Sequence, residues 1–220
     1  IPLVSPAGMA AGVWHSLFLR NDGSVLTTGR NVHGQLGDGS TSGKWHPLQI
    51  MDDVIGVAAG ERHSFFLKGD GTAWAAGYNE FGQLGDGTTT DRLSPVQVLT
   101  DVRAMAAGRT HSLFLKDDGT AWATGYSNCG QLGIGPVGQL NAPVLVMHDA
   151  INLAAGKFHS LILLGDHTVW AAGYNNNGQL GDGSRTNRLS PVQVMDDAAS
   201  VFAGAYHTLF RQGDGTAWAS

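Results

Sequence analysis

One cysteine, Cys129, in 220 residues leaves no internal disulfide framework and no cysteine-based zinc site. Long apolar runs are missing as well. The 32 glycines and 7 prolines punctuate the chain so evenly that no stretch free of both exceeds 12 residues. That excludes a helical bundle, a coiled coil and a membrane-spanning helix, which needs about 20 apolar residues. Charge is sparse and leans acidic, with 14% charged residues and a net charge of −5. Nucleic-acid binders are usually basic, so the balance argues against that class. The sequence opens on Ile1-Pro2-Leu3-Val4 rather than on an initiator Met, a signal peptide or a transit peptide, and is expected to be a processed or excised piece. Against these absences stands 42% hydrophobic content, and a chain of this length buries roughly 70% of its unfolded surface.

The abundant glycine is periodic. Gly-Gln-Leu-Gly occurs at 34–37, 82–85, 130–133 and 178–181, always 48 residues apart. His15, His63, His111, His159 and His207 keep that spacing, as do Pro47, Pro95, Pro143 and Pro191 and the tryptophans 74, 122, 170 and 218. Within one unit, Val54 to Ala59 reads as a short strand of small residues and His63 to Leu67 as a second. Gly69-Asp70-Gly71 reads as a hairpin turn, because Asp-Gly supplies the φ > 0 that such turns need. Thr72 to Ala76 follows as a third strand, then a long Gly-rich loop, then Pro95 to Val98 as an outer strand where proline is tolerated. Four short antiparallel strands in 40–50 residues is the period of a propeller blade. The units run over about 6–53, 54–101, 102–149, 150–197 and 198–220, all within a single domain. Ile1-Pro2-Leu3-Val4 resembles the outer strand around Pro191 and is expected to complete the fifth blade, closing a five-bladed ring.

The pattern Ala-Gly-x-x-His-Ser, Asp-Gly-Thr, Trp, Gly-Tyr-Asn-x-x-Gly-Gln-Leu-Gly-Asp-Gly, Pro-Val resembles the regulator of chromosome condensation repeat family across essentially the whole chain. The resemblance implies an all-β fold, a β-propeller of four-stranded antiparallel blades. It does not imply one activity: members include exchange factors for a Ran-type GTPase, β-lactamase inhibitor proteins and many bacterial chains of unassigned role.

The His-Ser pairs recur in every unit, with Thr208 in the fifth. Recurrence argues for structure, the imidazole bridging backbone groups of neighbouring strands, and no catalytic residue is assigned. Equivalent histidines in adjacent blades are too far apart for a shared metal, since packed sheets stand roughly 10 Å apart. The Gly-rich loops lack the Lys-Ser/Thr ending of a phosphate cradle. Asp86 and Asp182 lack the alternating acids of a calcium loop. No metal and no cofactor is implied. Cys129 falls where other units carry His33, Phe81 and Asn177, which marks a peripheral position.

Where the units differ is more informative. Between Gly and His lie Val13-Trp14, Glu61-Arg62, Arg109-Thr110, Lys157-Phe158 and Ala205-Tyr206. The fold needs the Gly and the His but not these pairs, and Trp, Tyr and Arg dominate protein-interface hot spots. Trp14, Glu61, Arg62, Arg109, Lys157, Phe158 and Tyr206 are therefore the candidate partner-binding residues. A meander puts these loops and the long loops on one face, with 8 cations and 6 anions, and the hairpins and blade links on the other, with 5 cations and 12 anions.

The expected function is a non-enzymatic scaffold that engages a protein partner through the Gly-x-x-His face. The alternatives are a lectin with one carbohydrate site per blade and an exchange-factor-like regulator. A monomer is favoured over a dimer that completes the blades. Three further expectations are local. The pairs Asp38/Lys44, Asp86/Arg92 and Asp182/Arg188 form ion pairs that unit three exchanges for Ile134 and Leu140. His167, where the other units have Gly23, Gly71, Gly119 and Gly215, sits at φ > 0. The loop residues Trp14, Arg62, Arg109, Phe158 and Tyr206 lie exposed on one surface.

Overall fold

The computed structural model describes residues 8–220. The first blade comprises β1 (Gly8–Ala11), β2 (His15–Leu19), β3 (Val25–Gly29) and β4 (Lys44–Met51). The second comprises β5 (Val54–Ala59), β6 (His63–Lys68), β7 (Ala73–Gly77) and β8 (Arg92–Leu99). The third comprises β9 (Val102–Ala107), β10 (His111–Lys116), β11 (Ala121–Tyr126) and β12 (Gln139–Met147). The fourth comprises β13 (Ala150–Ala155), β14 (His159–Leu164), β15 (Val169–Gly173) and β16 (Arg188–Met195). The fifth contributes three strands, β17 (Ala198–Ala203), β18 (Thr208–Gln212) and β19 (Ala217–Ala219). Each blade is an antiparallel meander, and the described residues contain no helix. The architecture is the all-β propeller that the repeat predicts.

Local chemistry fixes the hairpins. Asp70 Oδ1 accepts from the Thr72 amide at 2.9 Å and from its hydroxyl at 2.6 Å, and Asp22, Asp118 and Asp166 repeat the arrangement. The turn needs a positive φ one residue later: Gly71 lies at 79° and His167 at 68°. His167 thus occupies the glycine position in the conformation expected of it. The sequence reading missed a second set of positive-φ residues. Asp53, Asp101, Asp149 and Asp197, at φ 57–61°, turn the chain from one blade into the next.

The core lies between blades rather than within them. Phe65 of blade two meets Phe114 of blade three edge-on at 5.2 Å, and both are fully buried. Leu17 of blade one clusters with Val54 and Phe66 of blade two, and Leu161 of blade four with Phe210 of blade five. Trp74 and Trp122 pack against these inter-blade clusters as half-buried rings whose indole N–H donates to Thr72 and Thr120.

The inner strands stack β1 on β5, β5 on β9, β9 on β13 and β13 on β17. The two outermost faces of this arc are bare. Leu209 is 42% exposed where its equivalents Leu17, Phe65, Leu113 and Leu161 are 0–2% exposed. Phe202 and Met9 are exposed as well. The expected closing strand, Ile1 to Val4, lies outside the described residues. Among the described residues, the first and fifth blades do not cover each other as a closed five-bladed ring requires.

Candidate functional site

Each Gly-x-x-His loop faces two ways. In the first four units its histidine points into the seam with the following blade, and in every unit at least one of its two middle residues lines the axis. In the seam, His15 Nε2 contacts Ser64 Oγ at 2.8 Å, His63 contacts Ser112 at 3.1 Å, His111 contacts Ser160 at 3.0 Å and His159 contacts Thr208 Oγ1 at 3.2 Å. Each hydroxyl spends its proton on a glutamine carbonyl of the preceding blade, Gln35, Gln83, Gln131 or Gln179, at 2.6–2.8 Å. The hydroxyl must therefore accept from the imidazole N–H. The imidazole bridges to a side-chain hydroxyl of the next blade, not to backbone groups as expected. The proton order is also the reverse of a base activating a nucleophile. His15, His63, His111 and His159 are buried, and among the described residues their Nδ1 atoms have no partner. Burial, the first cause, depresses the pKa to about 4 at His15 and His159 and about 3 at His63 and His111; neighbouring imidazoles depress His63, His111 and His159 further. The loop glycine is obligatory here. A Cβ on Gly60 would collide with the His63 ring and with the carbonyl of Gly108 in the next blade.

The repeated asparagines and aspartates of the long loops are paired within their own loops. Asn79, fully buried, donates from Nδ2 to Asp86 and to the Thr88 and Thr90 carbonyls, and accepts from the Leu84 amide; Asn31 and Asn175 repeat the pattern. The three expected ion pairs form, Lys44–Asp38 at 2.9 Å, Arg92–Asp86 at 2.5 Å and Arg188–Asp182 at 2.6 Å. Burial pushes these carboxyls up, but the cation and the hydrogen bonds outweigh it, holding Asp38 and Asp182 at about 2. Unit three drops the whole set: Ser127 replaces the asparagine, and Ile134 and Leu140 pack on the Leu113–Ala123–Leu132 cluster. Asparagines and aspartates held this tightly are unavailable as sugar or calcium ligands. Among the described residues no cluster of His, Cys, Asp or Glu is arranged to hold a metal. Cys129 is half-buried, which pushes its thiol up.

At the axis, all five loops line one funnel of about 580 Å³. Its wall is Ala and Gly from every inner strand end, with Val13, Trp14, Glu61, Arg62, Arg109, Lys157 and Ala205 at the mouth. Glu61 lies between two guanidinium groups, 3.0 Å from Arg109 and 3.4 Å from Arg62. The Lys157 ammonium instead lies over aromatic rings, 4.9 Å from the Tyr206 centroid and 5.7 Å from that of Phe158. Arg109 lies 5.4 Å from the Phe158 centroid. Trp14 and Tyr206 are exposed; Glu61, Arg62, Arg109, Lys157 and Phe158 are partly so. The structure thus brings all seven candidates to one face.

It also adds residues that were not anticipated. Tyr78, which Arg62 overlies, links His33 to Phe81, and Phe81 meets Tyr126 at 4.8 Å; on the other side Tyr174 stands between Phe158 and Tyr206. The signal was in the chain: a tyrosine follows Gly77, Gly125 and Gly173, and unit one has Arg30 there, over Trp14.

A family model described as "RCC1-like domain" matches residues 5–210. Among solved structures, human WBSCR16 superposes with a TM-score of 0.83 at 24% identity, covering 93% of this chain and 57% of its own. Prp20p of Saccharomyces cerevisiae, whose structure was described with its binding to Gsp1p and histones, superposes with a TM-score of 0.85 at 22% identity, covering 96% of this chain and 56% of its own. The ectodomain of the Arabidopsis thaliana receptor kinase ACR4 superposes more loosely, with a TM-score of 0.59 at 14% identity, covering 98% of this chain and 63% of its own. The chain spans a little over half the length of the first two. No curated protein matches it.

Proposed function

We propose that this chain, which belongs to the RCC1-like domain family, is a non-enzymatic scaffold that engages a protein partner through the face carrying the Gly-x-x-His loops. One observation carries the reading: among the positions that the fold leaves free, Trp14, Arg62, Arg109 and Lys157 converge on the mouth of one funnel, with Phe158 and Tyr206 packed beside these cations. Aromatic and arginine side chains around a concavity are what protein interfaces draw their binding energy from. The asparagines that repeat in the long loops are engaged in holding those loops, which favours the scaffold reading over the lectin alternative. That Prp20p binds proteins fits the reading at the level of the shared fold.

The test is affinity capture from the source cells with the wild-type chain, with the double charge reversal Arg109→Glu/Lys157→Glu, and with Lys68→Glu on the opposite face. The expected result is a partner retained by wild type and by Lys68→Glu and lost by the double reversal. A partner that survives the double reversal and is lost with Lys68→Glu would place binding on the other face.

A further inference from the structure

We infer that the segment this funnel receives is an acidic stretch of polypeptide, its Asp or Glu carboxylates seated on Arg62, Arg109 and Lys157. The inference rests on the proposed binding face and adds the chemistry of the partner. Three consecutive blades each contribute one cation to the mouth, and only Glu61 opposes them. Glu61 itself shows how a carboxylate sits here. Its side chain is 13% exposed, it lies between two guanidinium groups, and Arg109 reaches it at 3.0 Å. Lys157 has rings rather than a carboxylate beside it.

The rings matter because a π-face orients a cation without neutralising its charge. Phe158 and Tyr206 hold the Lys157 head, Phe158 the Arg109 head and Tyr78 the Arg62 head. Less side-chain freedom is then lost when an anion arrives. Below the cations the wall is glycine and alanine, so a ligand backbone approaches without meeting any side chain larger than a methyl group. Trp14 and Tyr206, 53% and 42% exposed, bracket the cationic stretch and suit apolar residues flanking the acidic ones.

A polypeptide fits better than a nucleic acid. Duplex DNA carries one negative charge per about 1.7 Å and would meet a molecule of net charge −5, whose opposite face is the more acidic. A short acidic segment brings only as many charges as the mouth can pair, and about 580 Å³ holds a few residues.

The experiment is fluorescence anisotropy with labelled hexaglutamate, at low and at physiological salt. The expected result is saturable binding that weakens as salt rises, because exposed charge pairs are screened. Arg109→Glu/Lys157→Glu should weaken it by at least about tenfold, and Lys68→Glu should leave it unchanged. Urea midpoints of both variants, compared with wild type, separate lost binding from lost folding. Three results overturn the inference: no binding of hexaglutamate, binding indifferent to the double reversal, or a six-nucleotide single strand bound as tightly. If the cellular partner is lost with the double reversal while hexaglutamate does not bind, the binding face stands and the acidic partner does not.

Discussion

The seam and the funnel are built from the same loops, two residues apart, and could hardly differ more. In Gly60-Glu61-Arg62-His63, the outer residues recur in every unit and lock one blade to the next, whereas the inner pair changes from unit to unit and, Thr110 apart, stays at least partly exposed. Repetition marks what the fold requires: a glycine with no room for Cβ and an imidazole with one hydroxyl to meet. Variation marks what it does not require, and there the side chains are those of an interface. Five units in one chain provide that contrast internally.

If the seam is structural and the funnel is not, perturbing them must separate stability from binding. The largest expected effect is acidification. The buried imidazoles His15, His63, His111 and His159 bind protons more weakly in the folded chain, at about 4 or 3, than the 6.5 of an unperturbed histidine. The unfolded chain then takes up protons first. Stability is complete above pH 6.5 and falls as pH drops from 6.5 toward 4 and on to 3. Each tenfold difference in proton affinity corresponds to about 1.4 kcal/mol, so four seams together withdraw several kcal/mol. Urea titrations at pH 7.5, 5.5 and 4.5 read this out, and a flat profile would remove the buried neutral imidazoles from the account.

Next in size is truncation of a single seam. His63→Ala leaves a cavity and takes from the buried Ser112 hydroxyl the donor it accepts from, and should cost about 2–4 kcal/mol in urea unfolding. His207→Ala should cost less than about 0.5 kcal/mol, because among the described residues the His207 side chain is exposed and meets no hydroxyl of another blade. Equal losses would show that the imidazole acts within its own blade.

A smaller effect is expected in the long loops. Arg92→Leu leaves the Asp86 carboxylate, 5% exposed, without its cation and should cost about 1–3 kcal/mol. Adding Asp86→Ile should recover part of the loss, since unit three makes that exchange naturally with Ile134 and Leu140. A small effect of the opposite sign belongs to His167→Gly. It relieves a positive φ of 68° at the expense of one 3.2 Å contact to the Ala198 carbonyl. Stability should be unchanged or raised by up to about 1 kcal/mol, and a clear loss would contradict the strain reading.

The blades were legible because a 48-residue register survives in glycine, histidine, proline and tryptophan at once, and the hairpins because Asp-Gly-Thr carries its own turn chemistry. The ion pairs were legible because unit three lost both members together. The seam was only half legible. A repeat shows that residues are equivalent, not which blade they face, and His15 meets Ser64, 49 residues on. A hydroxyl following histidine in every unit was the available signal. The aspartates at positive φ escaped because Asp adopts that conformation without glycine's signature. Ring closure was not legible: whether two apolar faces meet depends on the arc each blade subtends, which local pattern does not encode, and the strand expected to close the ring lies outside the described residues.

The claim that one face binds is tested most directly by photo-crosslinking in extract of the source cells, with a photoreactive phenylalanine analogue at position 206 and, separately, at position 70 on the opposite face. The account predicts a discrete adduct from position 206 that excess unmodified chain competes away, and none from position 70. Adducts from position 70 alone, or equally from both, would contradict it.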